Sequence, residues 1–345
     1  MRARVAVLAA TFLAAGPGTV LAQGPGDPTT VFADGFDNPC RIAVDSVGNL
    51  LVSELGLGEI LKIDPSGTRT LFTDQIPDPR WVAFDAFGWL LVTSHTNAMV
   101  HRVSPQGDLT EFAAVDGGVG MVTDQDGSVW VAAVDTLWHF DAMGRQLDAI
   151  ATVDQYGIAV RSIYPAPTGN LYLTGSAGGL WELVDGVPEQ LQGDLPYRWW
   201  GLAFDAAGNG YWAHEAYDEG DIDRMALIDL DGNWLNEEWI TDVVDPCRCV
   251  FGRNTDGSMN SDLYIGQIDG AIVKAAGGST LAVGWPIVGL RFSEIDEAAA
   301  ADEIMGVPDL LPESTRVFLD VIGNNDDSYD VGDFRAYLIA AGVVN

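Results

Sequence analysis

A chain of 345 residues carries 50 acidic and 17 basic side chains, a net charge of −33, and nearly half of its residues are hydrophobic. That balance argues against nucleic acid as a partner, because phosphate recognition rests on Lys and Arg. The hydrophobic content suffices for a large core, and with Lys62 and Lys274 the only lysines, the surface is expected to be acidic and highly soluble.

Residues 1–22, MRARVAVLAATFLAAGPGTVLA, have the three parts of an export signal. Arg2 and Arg4 give a positive start, Val5 to Ala15 an apolar centre, and Val20-x-Ala22 a small-residue cleavage site before Gln23. The apolar run is short for a bilayer and is broken by Gly16-Pro17; no later segment approaches the roughly 20 apolar residues of a spanning helix. The expectation is a secreted or periplasmic chain without a transmembrane anchor.

From residue 28 to about 295 the chain repeats itself. Gly48-Asn49, Gly88-Trp89, Gly127-Ser128, Gly169-Asn170 and Gly208-Asn209 recur at intervals near forty. Each lies between two apolar runs (RIAVD and LLVSE, WVAFD and LLVTS, GMVTD and VWVAA, GIAVR and LYLTG, GLAFD and GYWAHE), and two more runs follow in each unit. A sixth copy reads CRCVFGR, DLYIGQ, AIVKAA and STLAVG. Short apolar runs bounded by Asp, Gly, Pro and Asn are strands joined by tight turns. Four of them at a period near forty make a propeller blade, so the fold expected is all-β, a six-bladed β-propeller. TTVFADGF at 29–36 looks like a fourth strand placed ahead of the first unit, and IVGLRF at 287–292 like a surplus first strand; either can close the ring.

The phrases RIAVDSVGNLLVSELGLGEILKIDPSGTRTL, GIAVRSIYPAPTGNLYL and GLAFDAAGNGYW resemble NHL-type repeats. They are similar to the broader group that holds gluconolactonase-like hydrolases and virginiamycin B lyase-like proteins. The resemblance implies architecture more than activity, since propellers host many functions.

Cys40 and Cys247 take equivalent places in the first and sixth units, which are neighbours in a closed ring. Export permits pairing, so Cys40 is expected to bond Cys247 or Cys249 across the seam. The alternatives are free buried thiols, or a Cys247–Cys249 link.

The loops into each first strand and between second and third strands share one face, where propellers bind. They supply Asn38, Glu54, Asp78, Arg80, His95, Asp116, Asp135, Asp154, Tyr156, Arg198, Trp199, His214, Glu215, Asp245 and Asp269. Of these, Asn38, Glu54, His95, Arg198, Trp199, Asp245 and Asp269 are the candidate ligand contacts. The loop WAHEAYDEGDIDR, 212–224, is longer and more acidic than its counterparts. Its His214 suits a general base and its Glu215 a partner in catalysis. Glu54, Glu215 and Asp269 offer oxygen ligands for a divalent ion. The resemblance to virginiamycin B lyase-like enzymes implies a catalytic histidine and a metal-binding glutamate on this face. That to gluconolactonase-like enzymes implies a metal held by Glu, Asn and Asp, for which Glu54 and Asn38 lie in suitable loops. The bland alternative is a solvated acidic loop with His214 bonded to a neighbour.

After Glu294 the composition changes. Residues 296–313 read as an acidic, Ala-rich helix and a proline-bounded joint, and 314–345 as a small appendage. Asp320, Asn324, Asp326, Ser328, Asp330 and Asp333 alternate like the ligands of an EF-hand-type calcium loop, ahead of a short helix FRAYLIAAGVV. The stretch is similar to half of a dockerin repeat, which implies bound calcium. An acidic helix-capping turn is the alternative, and Ile322 and Asp327 depart from the usual first Asp and central Gly.

Two functional readings follow. One is an exported propeller that binds a protein, small-molecule or carbohydrate ligand in its funnel and carries a calcium tail. The other is a metal-dependent hydrolase or lyase using His214.

Overall fold

The computed structural model describes residues 29–276, apart from 56, 125, 176–177, 194–198, 217–220 and 257, and then residues 297–305, 310–311, 316, 319 and 329–340. The leader 1–22, the runs STLAVG and IVGLRF, Arg198, and Asp320, Asn324, Asp326 and Ser328 lie outside the described residues.

Six four-stranded antiparallel sheets succeed one another along the chain. Blades I to V use residues 41–73, 79–114, 120–151, 160–192 and 199–240. Blade VI takes three strands from 246–275 and its outer strand from the chain start, β1 (Thr30–Asp34). β1 pairs antiparallel with Ala271–Ala275, Val31 opposite Val273 and Asp34 opposite Ala271. Of the two runs offered for closure, TTVFADGF therefore fills the seam.

Within a blade, burial falls from the inside outwards. The second strands LLVSE, LLVTS, VWVAA, LYLTG and GYWAH are buried at every position, because both faces meet a neighbouring blade. Outer strands such as RTLFT and QLDAIA are mostly exposed. One apolar cluster fills each of the six blade interfaces. At the seam, Ile42, Leu50 and Ile63 of blade I pack with Tyr264 and Ile272 of blade VI and with Phe36. Each such fully buried side chain contributes about 1.5–3 kcal/mol. The Cys40–Cys247 disulfide spans the same junction, with Cα atoms 5.4 Å apart, while Cys249 is a buried free thiol.

The turn from first to second strand lies on the base face, and there the recurring Asp caps its own loop. Asp45, Asp85 and Asp205 each accept backbone N–H bonds from the residues two and four places on. Asp64, Asp141 and Asp229 repeat the pattern in turns between third and fourth strands. The following Gly supplies a positive φ, +89° at Gly48, that other residues adopt only with strain.

Blade II keeps this capping but carries Phe87 and Trp89 in its base turn. Phe87 and Ala86 join Ala142 of blade III and Ala300, Leu311 and Leu319 of the C-terminal part in one apolar cluster. Trp89, Phe334 and Leu338 pack against it. The appendage thus docks on the base, through helices Glu297–Ile304 and Val331–Ala340, with Arg316 paired to Glu303 and the Tyr329 hydroxyl donating to the Ala300 carbonyl. Asp330 accepts the Gly332 N–H at the start of the second helix. Among the described residues no helix is long and apolar enough to cross a membrane.

Candidate functional site

The face opposite the base is the mouth of the central channel. Asn38, Asp78 and Asp245 stand there in corresponding places, each directly before the proline that leads into an inner strand. All three have left-handed backbones, φ +62°, +47° and +43°. A non-glycine residue in that region costs on the order of 1–3 kcal/mol, and such strain gathers at functional rims. The Asp78 carbonyl accepts the His95 N–H, and the Asp245 carbonyl accepts the Ile268 N–H, so the strained residues tie the loops of their blades together.

His214 is only 2 % exposed, at the end of its strand. Its Nε2 lies 2.6 Å from Asp221 Oδ2, and Arg224 Nη1 donates to Asp221 Oδ1 at 2.6 Å. Burial lowers the imidazole below its usual value against the pull of Asp221, so the ring is neutral near pH 7 and donates Nε2–H to the carboxylate. Although desolvation works against its charge, hydrogen bonds from Arg224 and His214 hold the Asp221 carboxyl at about 2. His214 is therefore engaged within its own loop.

The carboxylates expected around a funnel ion divide into two places. Glu54 is buried, receives the Asp37 N–H at 3.0 Å, and has Glu59, Asp37 and Arg69 as its charged neighbours. Burial raises its carboxyl above the usual range. Glu215, Asp223 and Asp269 instead surround Asp245, whose carboxyl is raised by burial and then by those three charges. Asp223 is occupied by the N–H groups of Ala216 and Asp245. Among the described residues no group of three or more His, Cys, Asp or Glu side chains is arranged to hold a metal ion, so Glu54, Glu215 and Asp269 do not form the set that the sequence offered. His95, Asp116, Asp135, Asp154 and Tyr156 are exposed rim residues, and Arg80 pairs with Asp78 at 3.1 Å. Trp199 begins the inner strand of blade V.

Sequence reasoning passed over the tier just inside the rim. Cross-strand pairing puts Arg41, Gly120, Ser162, Gly201 and Arg248 at one level, opposite Ser53, Ala132, Thr174, Ala213 and Gly266, and Trp81 meets Thr93 at that level in blade II. Blades III and V have no side chain there because neighbouring strands come too close. A Cβ on Gly120 would lie 2.9 Å from Ser162 Cα, and one on Gly201 2.7 Å from Arg248 Cα.

Across the channel, Arg248 Cζ sits 4.1 Å from the Trp81 ring centre and 5.5 Å from that of Tyr164, uniting blades VI, II and IV. Arg41 Cζ lies 5.6 Å from the same indole. Trp81 is held by its Nε1–H bond to the Met121 carbonyl. Burial lowers the Arg41 guanidinium to about 10, with repulsion from Arg248 and Arg80 adding to it and Tyr164 opposing. Arg41 Nε, Arg248 Nη1 and Asn38 Oδ1 are buried without a hydrogen-bond partner among the described residues. Below this tier is a cavity of about 90 Å³, lined by inner-strand residues such as Ile42, Val82, Met121 and Leu202 together with Tyr164 and Arg248. The signal was the doubled triplet Pro39-Cys40-Arg41 and Pro246-Cys247-Arg248, in which the cysteines drew notice and the arginines did not.

No family model matches the chain, and no curated protein matches it in sequence. Solved structures do. A gluconolactonase from Xanthomonas campestris superposes with a TM-score of 0.57 at 14 % identity, covering 74 % of this chain and 92 % of that one. Regucalcin from Agrobacterium tumefaciens, described as a calcium-binding protein, gives 0.55 at 16 %, covering 76 % and 99 %. Virginiamycin B lyase from Staphylococcus aureus gives 0.54 at 14 %, covering 73 % and 85 %. At such identities the likeness establishes the six-bladed fold, and these neighbours span hydrolase, lyase and calcium-binding protein.

Proposed function

We propose that this chain is an exported ligand-binding propeller whose working surface is the mouth of its central channel, with a calcium-binding C-terminal segment seated on the opposite face. The observation that carries the reading is the tier of buried polar groups without partners, Asn38 Oδ1, Arg41 Nε and Arg248 Nη1, placed around one channel opening. Buried polar atoms in native proteins are almost always hydrogen-bonded, and a group of exceptions in a concave site marks where a ligand completes the set. The calcium proposal rests on an all-oxygen donor series in the tail, Asp320 to Asp333.

The test is a thermal-shift and calorimetry screen of the mature protein against neutral sugars, organic acids and divalent ions. Small-molecule binding weakened by Asn38→Ala supports the reading, whereas a full panel without a binder overturns it. Loss of a bound calcium ion in Asp330→Asn would place that ion in the tail.

One observation favours a second reading. A neutral His214 oriented by Asp221 has the form of a general base, as a lactonase-type hydrolase or a lyase with a carboxylate-held metal would require. Metal analysis of His214→Ala and Glu54→Gln separates the two. A second ion lost with Glu54 favours the enzyme; one ion, lost only with Asp330, favours the binder.

A further inference from the structure

Among the described residues, five arginines are each matched by a carboxylate. Arg102 holds Asp85 at 2.6 Å, Arg145 holds Asp141 at 2.8 Å, Arg224 holds Asp221, Arg316 holds Glu303, and at the rim Arg80 holds Asp78. Fifty acidic residues make such pairing easy. Arg69 and Arg161 have no such partner but are exposed, whereas Arg41 and Arg248 lack one away from solvent. The charged groups that bear on Arg41 are Arg248 and Arg80, both of like sign, and the ionisable neighbours of Arg248 are Tyr164 and Cys249. Arg248 is 9 % exposed, so its guanidinium stands in the channel with little water and, among the described residues, no counter-ion.

Burying a guanidinium unpaired is among the costliest arrangements a fold adopts, and contact with an aromatic face offsets only part of it. Here Arg248, with the partly buried Arg41 beside it, lies over the ring of one indole, Trp81. Strand geometry does not force the choice, since blades III, IV and V carry Gly120, Ser162 and Gly201 at the same level. What the pair provides is a set of fork-shaped donors, Arg41 Nε and Arg248 Nη1 still unused, beside Tyr164 and above a small apolar cavity. Planar, delocalised guanidinium groups match the geometry of oxyanions.

We propose that Arg41 and Arg248 form a binding site for the oxyanion group, carboxylate or phosphate, of a small ligand, with Trp81 and Tyr164 as the walls that hold the rest of it. This rests on the reading of the channel mouth as a ligand site and names the class of ligand. Asn38 Oδ1 adds an acceptor for a hydroxyl or amide on the same molecule. The surrounding carboxylates, Asp78 and Asp245, bar polyanions and leave a single oxyanion the preferred charge.

Calorimetry and tryptophan fluorescence on the mature, disulfide-intact chain at low ionic strength test the assignment. The probes are benzoate, inorganic phosphate and neutral benzamide. Benzoate or phosphate is expected to bind and perturb Trp81 emission, and benzamide to bind at least tenfold more weakly than benzoate. A preference for benzoate over phosphate assigns a carboxylate ligand, and the reverse a phosphate ester. Arg41→Gln and Arg248→Gln are each expected to weaken binding tenfold or more, Arg41→Lys less, and the exposed control Arg69→Gln not at all. Arg41 is only partly buried, so its variants carry the test even where Arg248→Gln fails to fold. Anion binding unchanged in Arg41→Gln overturns the site. Failure of both anions beside a neutral binder from the wider screen overturns the ligand class and spares the binding reading, and failure of every compound overturns both.

Discussion

The two faces of the propeller use the same residue types in opposite ways. On the base, the turn aspartates are consumed locally. Asp205 accepts two backbone N–H bonds, the Asn209 amide and the Tyr211 hydroxyl, and Asp45 and Asp229 come close to the same state. At the mouth, strained left-handed residues replace capped turns, and buried donors are left without partners. Charge by itself therefore says little about function in this chain; the base spends its turn carboxylates on its own backbone, whereas the mouth gathers Asn38, Arg41 and Arg248 around one opening. The base is built for stability and docks the C-terminal segment, and the mouth keeps unspent hydrogen-bonding capacity at a cost in stability.

The seam underlies both faces, and breaking it should have the largest effect. The disulfide closes a separation of 207 residues. Replacing both cysteines by serine should lower unfolding stability by about 3–5 kcal/mol, read from denaturant midpoints with and without reductant. On the base, Phe87→Ala should cost about 3 kcal/mol and raise hydrogen exchange in residues 297–305 and 331–340, because Phe87 is buried among the residues that seat them. Asp205→Ala should cost about 2–3 kcal/mol through four lost acceptor contacts and a stranded Tyr211 hydroxyl.

Acid should act in two stages, each smaller. Burial lowers His101, His139 and His214, the last facing Asp221, Asp223 and Arg224. Below the unfolded value near 6.5 the unfolded chain binds protons that the folded chain refuses. Stability is thus complete above about pH 6.5 and declines as pH falls toward the lowered values, and His214→Gln should flatten that decline in urea titrations. Asp221, at about 2 against 3.8 unperturbed, adds a second loss between those values. The smallest effect sharpens the contrast from the mouth: Asp116→Ala, Asp135→Ala and Asp154→Ala, all exposed, should each shift stability by less than about 0.5 kcal/mol.

The ring was legible in the sequence because a forty-residue period, turn glycines and apolar runs all point one way. Even the outer strand of blade VI was visible as TTVFADGF out of place. The site was less legible, because a propeller brings six distant segments to one axis and the repeat aligns them without saying which way a side chain is spent. His214 stood out by its unusual loop, yet that loop also supplies Asp221, which engages it, and Arg224, which holds Asp221. Arg41 and Arg248 were concealed at the openings of apolar strands, and only their meeting on Trp81 reveals them. Phe87 and Trp89 were similarly readable as turn residues until the docked helices explained why that turn is aromatic.

The most direct test of the account is a crystal structure of the mature protein soaked with benzoate. The account predicts an ordered carboxylate within hydrogen-bonding distance of both the Arg41 and Arg248 guanidinium groups, with its ring against Trp81 or Tyr164. Benzoate ordered only elsewhere on the molecule, with Arg248 still resting on Trp81 and the channel free of ligand, would contradict it.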